Sequence, residues 1–198
     1  MERFPGNDPE EIVVIGELVN LLDQLHIVYA IGGSLASSAY GAVRFTQDAD
    51  IAIEPFSDKA EAFFSAVKDA FYISKEAMLE AIRLRQRFNI IHFETAFKID
   101  LFVCRDTSYD KQVLVRRAPL ELTHTQGTRF FFVSPEDIIL LKLQWYKAGG
   151  ETSQRQWADV LSVINVQADV LDKVYLEHEA GKLNLSNLLK KASTEAQG

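Results

Sequence analysis

Two aspartates two residues apart, Asp48 and Asp50, a third at Asp100, and a Gly32-Gly33-Ser34 turn are the groups in this chain whose types and spacing could do chemistry. On an extended strand, residues two apart point to one face. Asp48 and Asp50 therefore stand side by side while Ala49 and Ile51 point to the other face. Like charges that close repel, and burial deepens the cost; a divalent cation removes it. Mg²⁺, or Mn²⁺ in its place, commonly takes one or two carboxylates plus water and substrate phosphates. Two such ions about 3.5–4 Å apart can activate an attacking hydroxyl and hold a triphosphate with its leaving pyrophosphate. Asp48 and Asp50 are the expected ligands of both ions. Asp100, brought alongside by a neighbouring strand, is the expected ligand at the hydroxyl end and a candidate general base.

Gly32 and Gly33 let backbone approach a phosphate closely, since no Cβ intervenes, and the N-terminus of a following helix offers free N–H groups. Ser34 adds a hydroxyl and is the expected N-cap. The P-loop lysine and the third glycine of a dinucleotide fingerprint are both absent from this stretch. Arg44, Thr46, Asp48 and Asp50 fall at successive i+2 positions, which places Arg44 and Thr46 on the ligand side. Arg44 then contacts phosphate or holds Asp48. Lys98 shares a strand face with Asp100, as a nucleotide contact or as a simple ion-pair partner, and Lys142 is a further candidate for the triphosphate. His26, His92, His124 and His178 have no ligand spacing; only His92 and Glu94 enter, as alternatives for an acceptor-side base. Trp145, Tyr146 and Trp157 read as core residues of amphipathic helices, and Arg155 with Asp159 as an i,i+4 surface pair.

The elements that must position these groups follow from periodicity. Residues 9–25 carry an apolar stripe at 12, 15, 18, 19, 22 and 25, which predicts a packing helix. A strand over 27–31 runs into the Gly-Gly turn, a short helix follows to Tyr40, and a strand over 49–54 stops at Pro55. Helices are expected over 58–70 and 75–84, then a hairpin of strands 87–94 and 96–104 that delivers Asp100. Strand-like runs occupy 112–121 and 128–133. Ser134-Pro135-Glu136-Asp137 is a helix start with an N-cap, a first-turn proline and first-turn acids. That helix ends at Gly149-Gly150, and further helices are expected over 152–166 and 169–192.

The string Ile31-Gly32-Gly33, Asp48-Ala49-Asp50 and Asp100 resembles the nucleotidyltransferase superfamily, whose signature is a Gly-Gly or Gly-Ser turn, Asp-x-Asp some ten to fourteen residues on, and a third acid on a later strand. The fuller run from Gly41 to Asp50 resembles the bacterial branch that holds small-molecule nucleotidyltransferases and nucleotidyltransferase-like partners of toxin–antitoxin pairs. The resemblance implies an α/β (α+β) fold of the polymerase-β type: a short, mixed, twisted sheet flanked by helices, over residues 1–133, with a helical C-terminal region over 134–198 packed on it. It implies transfer of a nucleoside monophosphate from NTP to a hydroxyl of a small molecule or protein, with release of pyrophosphate. The alternative is a binding protein of the same fold, acting in a toxin–antitoxin-like pair with a protein partner.

Composition bounds these readings. At 198 residues and 47% hydrophobic content, one substantial core can form. The net charge of −7 disfavours a long nucleic acid as partner, because such affinity comes from phosphate neutralisation. Arg83, Arg85, Arg87, Arg116 and Arg117 nonetheless cluster in the middle third, as a solvated face or as cations for a triphosphate or an acidic partner. No apolar run approaches membrane-spanning length and no signal-peptide pattern opens the chain, so a cytoplasmic protein without a membrane partner is expected. The single cysteine, Cys104, reads as an inert thiol at a strand end.

Overall fold

The computed structural model describes residues 9–43, 46–120 and 129–196. Along the chain run α1 (Glu10–Gln24), β1 (Tyr29–Ile31), α2 (Gly33–Tyr40), β2 (Asp48–Ile53), α3 (Ala60–Val67), β3 (Phe71–Tyr72), α4 (Lys75–Leu84), β4 (Arg87–His92) and β5 (Lys98–Val103). They are followed by α5 (Ser108–Val115), β6 (Ala118–Leu120), β7 (Phe130–Phe132), α6 (Pro135–Ala148), α7 (Gln154–Val166), α8 (Lys173–Lys182) and α9 (Ser186–Glu195). Two compact units result. One comprises Met1–Ile31 with Gln47–Phe132, the other Gly32–Thr46 with Val133–Gly198.

The first unit is built on a mixed sheet in the order β3-β4-β5-β2-β1-β7-β6. β2 pairs with β5, and β1 with β7, in parallel; the other neighbours are antiparallel. Alternation along the strands sets which face is dry. Ala49, Ile51 and Ile53 of β2, Ile99, Leu101 and Val103 of β5, and Phe88 and Ile90 of β4 are all buried. Phe63 of α3 meets Phe88 edge-on at 6.4 Å between ring centres, and α1 buries Ile15, Leu18, Val19 and Leu22. The apolar stripe expected over 9–25 is thus the packed side of α1. The alternate strand positions, which carry Asp48, Asp50 and Asp100, face away from this core.

The second unit is helical. Here α2 packs on α6 and α7, α6 also packs on α8, and α9 packs on α7 and α8. Where α2 ends, Gly41 is required by close approach, since a Cβ there would lie 2.7 Å from Ser162 Oγ and 2.9 Å from the Ser37 carbonyl. Ala42 N–H donates to that same Ser162 hydroxyl, and Gln167 Nε2 donates to the Tyr40 carbonyl. Among the described residues, no helix is long and apolar enough to cross a membrane.

Three expectations are corrected. Residues 112–115 belong to helix α5 and not to a strand, because Thr107 caps that helix by accepting from Asp110 N–H, and Tyr109 and Val113 are buried one turn apart. The strand that follows is confined to β6. The single helix expected over 169–192 is two, α8 and α9, broken where Asn184 takes a left-handed conformation (φ 57°). Finally, Gly32 and not Ser34 is the N-cap of α2, and no side-chain cap bond is made there.

Candidate active site

The carboxylates are positioned by strand register. β2 and β5 run parallel with Asp48 opposite Lys98 and Asp50 opposite Asp100, and on the far side Asn89 of β4 is opposite Asp100. Register partners and i+2 neighbours share a face. Asp48, Asp50, Lys98 and Asp100 therefore form one polar patch on the side of the sheet away from α1 and α3. Asp48 and Asp50 are half-buried, whereas Asp100 is only 4% exposed.

Asp100 is the pivotal group. Its Oδ2 is 2.8 Å from the Lys98 ammonium and 3.9 Å from the Arg87 guanidinium. Its Oδ1 is buried and has no hydrogen-bond partner among the described residues. A buried carboxylate oxygen left unsatisfied costs free energy, so such an atom is a sign that something else completes it. Among the described residues, no set of three or more His, Cys, Asp or Glu side chains stands together as metal ligands, so the three aspartates share a face without closing on one point. The donor chemistry still fits a hard divalent cation, which prefers carboxylate oxygen and commonly needs only one or two carboxylates from the protein.

In the second unit, Gly32 follows directly on Ile31, the residue of β1 opposite Ile51. Gly33 has φ 56°, a left-handed conformation that costs a side-chain-bearing residue free energy and glycine little. Ser34 accepts a hydrogen bond of 3.2 Å from Arg155 Nη2 of α7, and Ser37 Oγ donates to the Gly33 carbonyl. Sequence spacing pairs Arg155 with Asp159. The Asp159 carboxylate instead takes the Lys142 ammonium at 2.7 Å, with the two side chains 12% and 7% exposed. Lys142 is thus held inside the helical unit by an ion pair. Thr46 is buried, while Arg44 lies outside the described residues, as does His124.

The remaining candidates sort plainly. His92 groups with Phe88 and Ile90 on the core face of β4, shares a 3.0 Å hydrogen bond with Thr95 Oγ1 and packs on Phe71 with ring centres 5.2 Å apart. It stands on the opposite sheet face from Asp100 and cannot serve as its alternative; Glu94 is exposed in the turn after β4. Trp145, expected in a core, is 62% exposed, whereas Tyr146 is buried and packs against Trp157. The arginine cluster disperses. Arg83 pairs with Glu80 on its own helix, Arg85 donates to the Cys104 carbonyl, and Arg117 lies over the Phe131 ring. Arg87 reaches the carboxylate patch, 3.9 Å from Asp100, a role that the hairpin register could have suggested. Burial, reinforced by the Asp110 charge, pushes the Cys104 thiol up to about 12, which keeps it protonated and unreactive at neutral pH.

No protein-family model matches the chain, and no curated protein matches it in sequence. Solved structures do match in fold. The antibiotic-resistance factor ANT(2'')-Ia superposes with a TM-score of 0.57 at 14% identity, over 92% of this chain and 96% of that one. The same factor in complex with adenylyl-2''-tobramycin gives 0.57 at 13% identity, over 92% and 98%. An antigenic nucleotidyltransferase-like protein from Paracoccidioides brasiliensis gives 0.55 at 20% identity, over 94% and 95%. The chain therefore has the α/β fold of nucleotidyltransferases. Function rests on the site, because a fold hosts many activities.

Proposed function

We propose that this protein is a metal-dependent nucleotidyltransferase that moves a nucleoside monophosphate from NTP to a hydroxyl of a small molecule or protein. The observation that carries the proposal is the buried Oδ1 of Asp100, without a hydrogen-bond partner among the described residues, on the same sheet face as Asp48 and Asp50. ANT(2'')-Ia, solved in complex with adenylyl-2''-tobramycin, supports a small-molecule acceptor.

Asp48, Asp50 and Asp100 would hold Mg²⁺ or Mn²⁺, which supplies charge neutralisation at the phosphates and lowers the pKa of a bound hydroxyl. Gly32, Gly33 and Ser34 bind phosphate oxygens through backbone N–H groups and the serine hydroxyl, with Thr46 and Arg44 as further contacts. Lys98 and Lys142 remain candidate nucleotide contacts only if they leave the ion pairs described above. In the reaction the acceptor oxygen attacks the α-phosphorus, the bond from that phosphorus to the bridging oxygen of the β-phosphate breaks, and pyrophosphate leaves. Asp100 accepts the hydroxyl proton.

The test is pyrophosphate release from Mg²⁺-NTP with a panel of hydroxylated acceptors that includes aminoglycosides, for the wild type and Asp48→Asn. Asparagine keeps the shape and removes one metal-ligating charge. Release is expected to fall about a hundredfold or more while the melting temperature is kept. A variant with wild-type turnover contradicts the reading. A wild type that binds NTP and turns over no acceptor favours the binding protein of a toxin–antitoxin-like pair.

A further inference from the structure

Lys98 sits within the acidic patch itself. It is opposite Asp48 in register and two residues before Asp100 on the same strand, and its ammonium is 2.8 Å from Asp100 Oδ2. The Lys98 side chain is 39% exposed, against 5% for that of Asp100. Its terminus can therefore swing to water at little cost, whereas the carboxylate cannot move away. Arg87, 58% exposed and 5.8 Å from the Phe102 ring centre, stands farther off at 3.9 Å from the same oxygen.

We propose that Lys98 is a displaceable internal counter-ion: it compensates the buried Asp100 carboxylate in the metal-free protein and competes with the divalent cation for it. This rests on the reading of Asp48, Asp50 and Asp100 as the cation site. The physical argument is one of exclusive occupancy. An ammonium at hydrogen-bond distance and a divalent cation both draw on the charge of the same carboxylate, and each weakens the hold of the other. Lys98 is a positioning residue in this scheme. It keeps the carboxylate oriented before metal arrives and sets the cation concentration at which the site fills.

The experiment measures Mn²⁺ binding without nucleotide, by calorimetry and by the loss of the free-ion electron paramagnetic resonance signal at one fixed pH, in the full chain. The proteins are wild type, Lys98→Met, Lys98→Arg and Asp100→Asn, each with a melting temperature in chelator. Methionine keeps the apolar stem and removes the charge. Lys98→Met is expected to bind Mn²⁺ about five- to tenfold more tightly, as expected for loss of one competing, partly solvated ion pair. Its melting temperature in chelator should be lower. Lys98→Arg, which restores a cation, should bind Mn²⁺ within about twofold of wild type. A merely structural lysine would lower the melting temperature without tightening Mn²⁺ binding. If wild type binds Mn²⁺, Asp100→Asn abolishes it, and Lys98→Met leaves affinity unchanged or weaker, the counter-ion role is overturned and the metal site stands. If neither wild type nor Lys98→Met binds Mn²⁺, both readings fall.

Discussion

Lys142 and Asp159 mark the difference between a cation that meets a ligand and one held within the fold. Lys142 is 5% exposed and its ammonium is 2.7 Å from Asp159, so the two side chains neutralise each other inside the helical unit. Removing the Asp159 carboxylate leaves the Lys142 ammonium buried without its counter-ion, and breaking a buried pair in this way typically costs about 3–5 kcal/mol, about as much as a large core truncation. Asp159→Asn is therefore expected to lower stability in urea unfolding by about 3 kcal/mol, and Lys142→Met combined with Asp159→Leu to recover most of that loss. A loss below about 1 kcal/mol for Asp159→Asn would place Lys142 in solvent contact and return it to the list of phosphate ligands. Spacing along the sequence could not reveal this pair, since its members are 17 residues apart on two helices. The shared sheet face of Asp48, Asp50 and Asp100 was legible because the period of a strand is two and needs only correct register. Arg87 was harder, because its approach to Asp100 crosses from one strand to the next.

Helix starts are the elements the sequence announces most clearly, and their caps differ in burial. Ser134 Oγ accepts from Asp137 N–H at 3.2 Å and donates to Asp137 Oδ2 at 2.8 Å, and both residues are buried. Tyr175 OH donates to the other Asp137 oxygen, which joins α8 to the first turn of α6. Thr107 caps α5 through one exposed bond. Ser134→Ala is expected to cost about 2 kcal/mol and Thr107→Ala about 0.5–1 kcal/mol in denaturant unfolding, because only the first also removes a hydrogen bond to a buried carboxylate. Equal losses would mean that burial at α6 adds nothing to the cap. The misreading of α5 has a related cause. Val113 and Val115 are β-branched and, with Leu114 between them, make an apolar run that favours a strand, and the Thr107–Asp110 cap upstream outweighs it. Asn184 hid the break between α8 and α9, since asparagine can take the left-handed region without a glycine or proline to signal it.

At the scale of the whole molecule, the net charge of −7 and the three aspartates of one sheet face oppose any triphosphate that arrives without a cation. The mixed sheet was foreseeable as a class from the resemblance carried by the Gly-Gly turn and the spaced aspartates. Its strand order was not, since β2 and β5 pair across more than forty residues of intervening chain, and only packing on one shared core selects that neighbour. Metal-dependent nucleotide binding is the property that the proposed function requires of the acidic patch. The most direct test is calorimetric titration of ATP and the other NTPs into the wild-type protein, with Mg²⁺ and again with excess chelator, paired with melting curves. Binding is expected only with Mg²⁺, with stabilisation of about 2.7 kcal/mol at a hundredfold excess over Kd. Equal NTP affinity in the presence of chelator would contradict the assignment of Asp48, Asp50 and Asp100 as a cation-dependent nucleotide site.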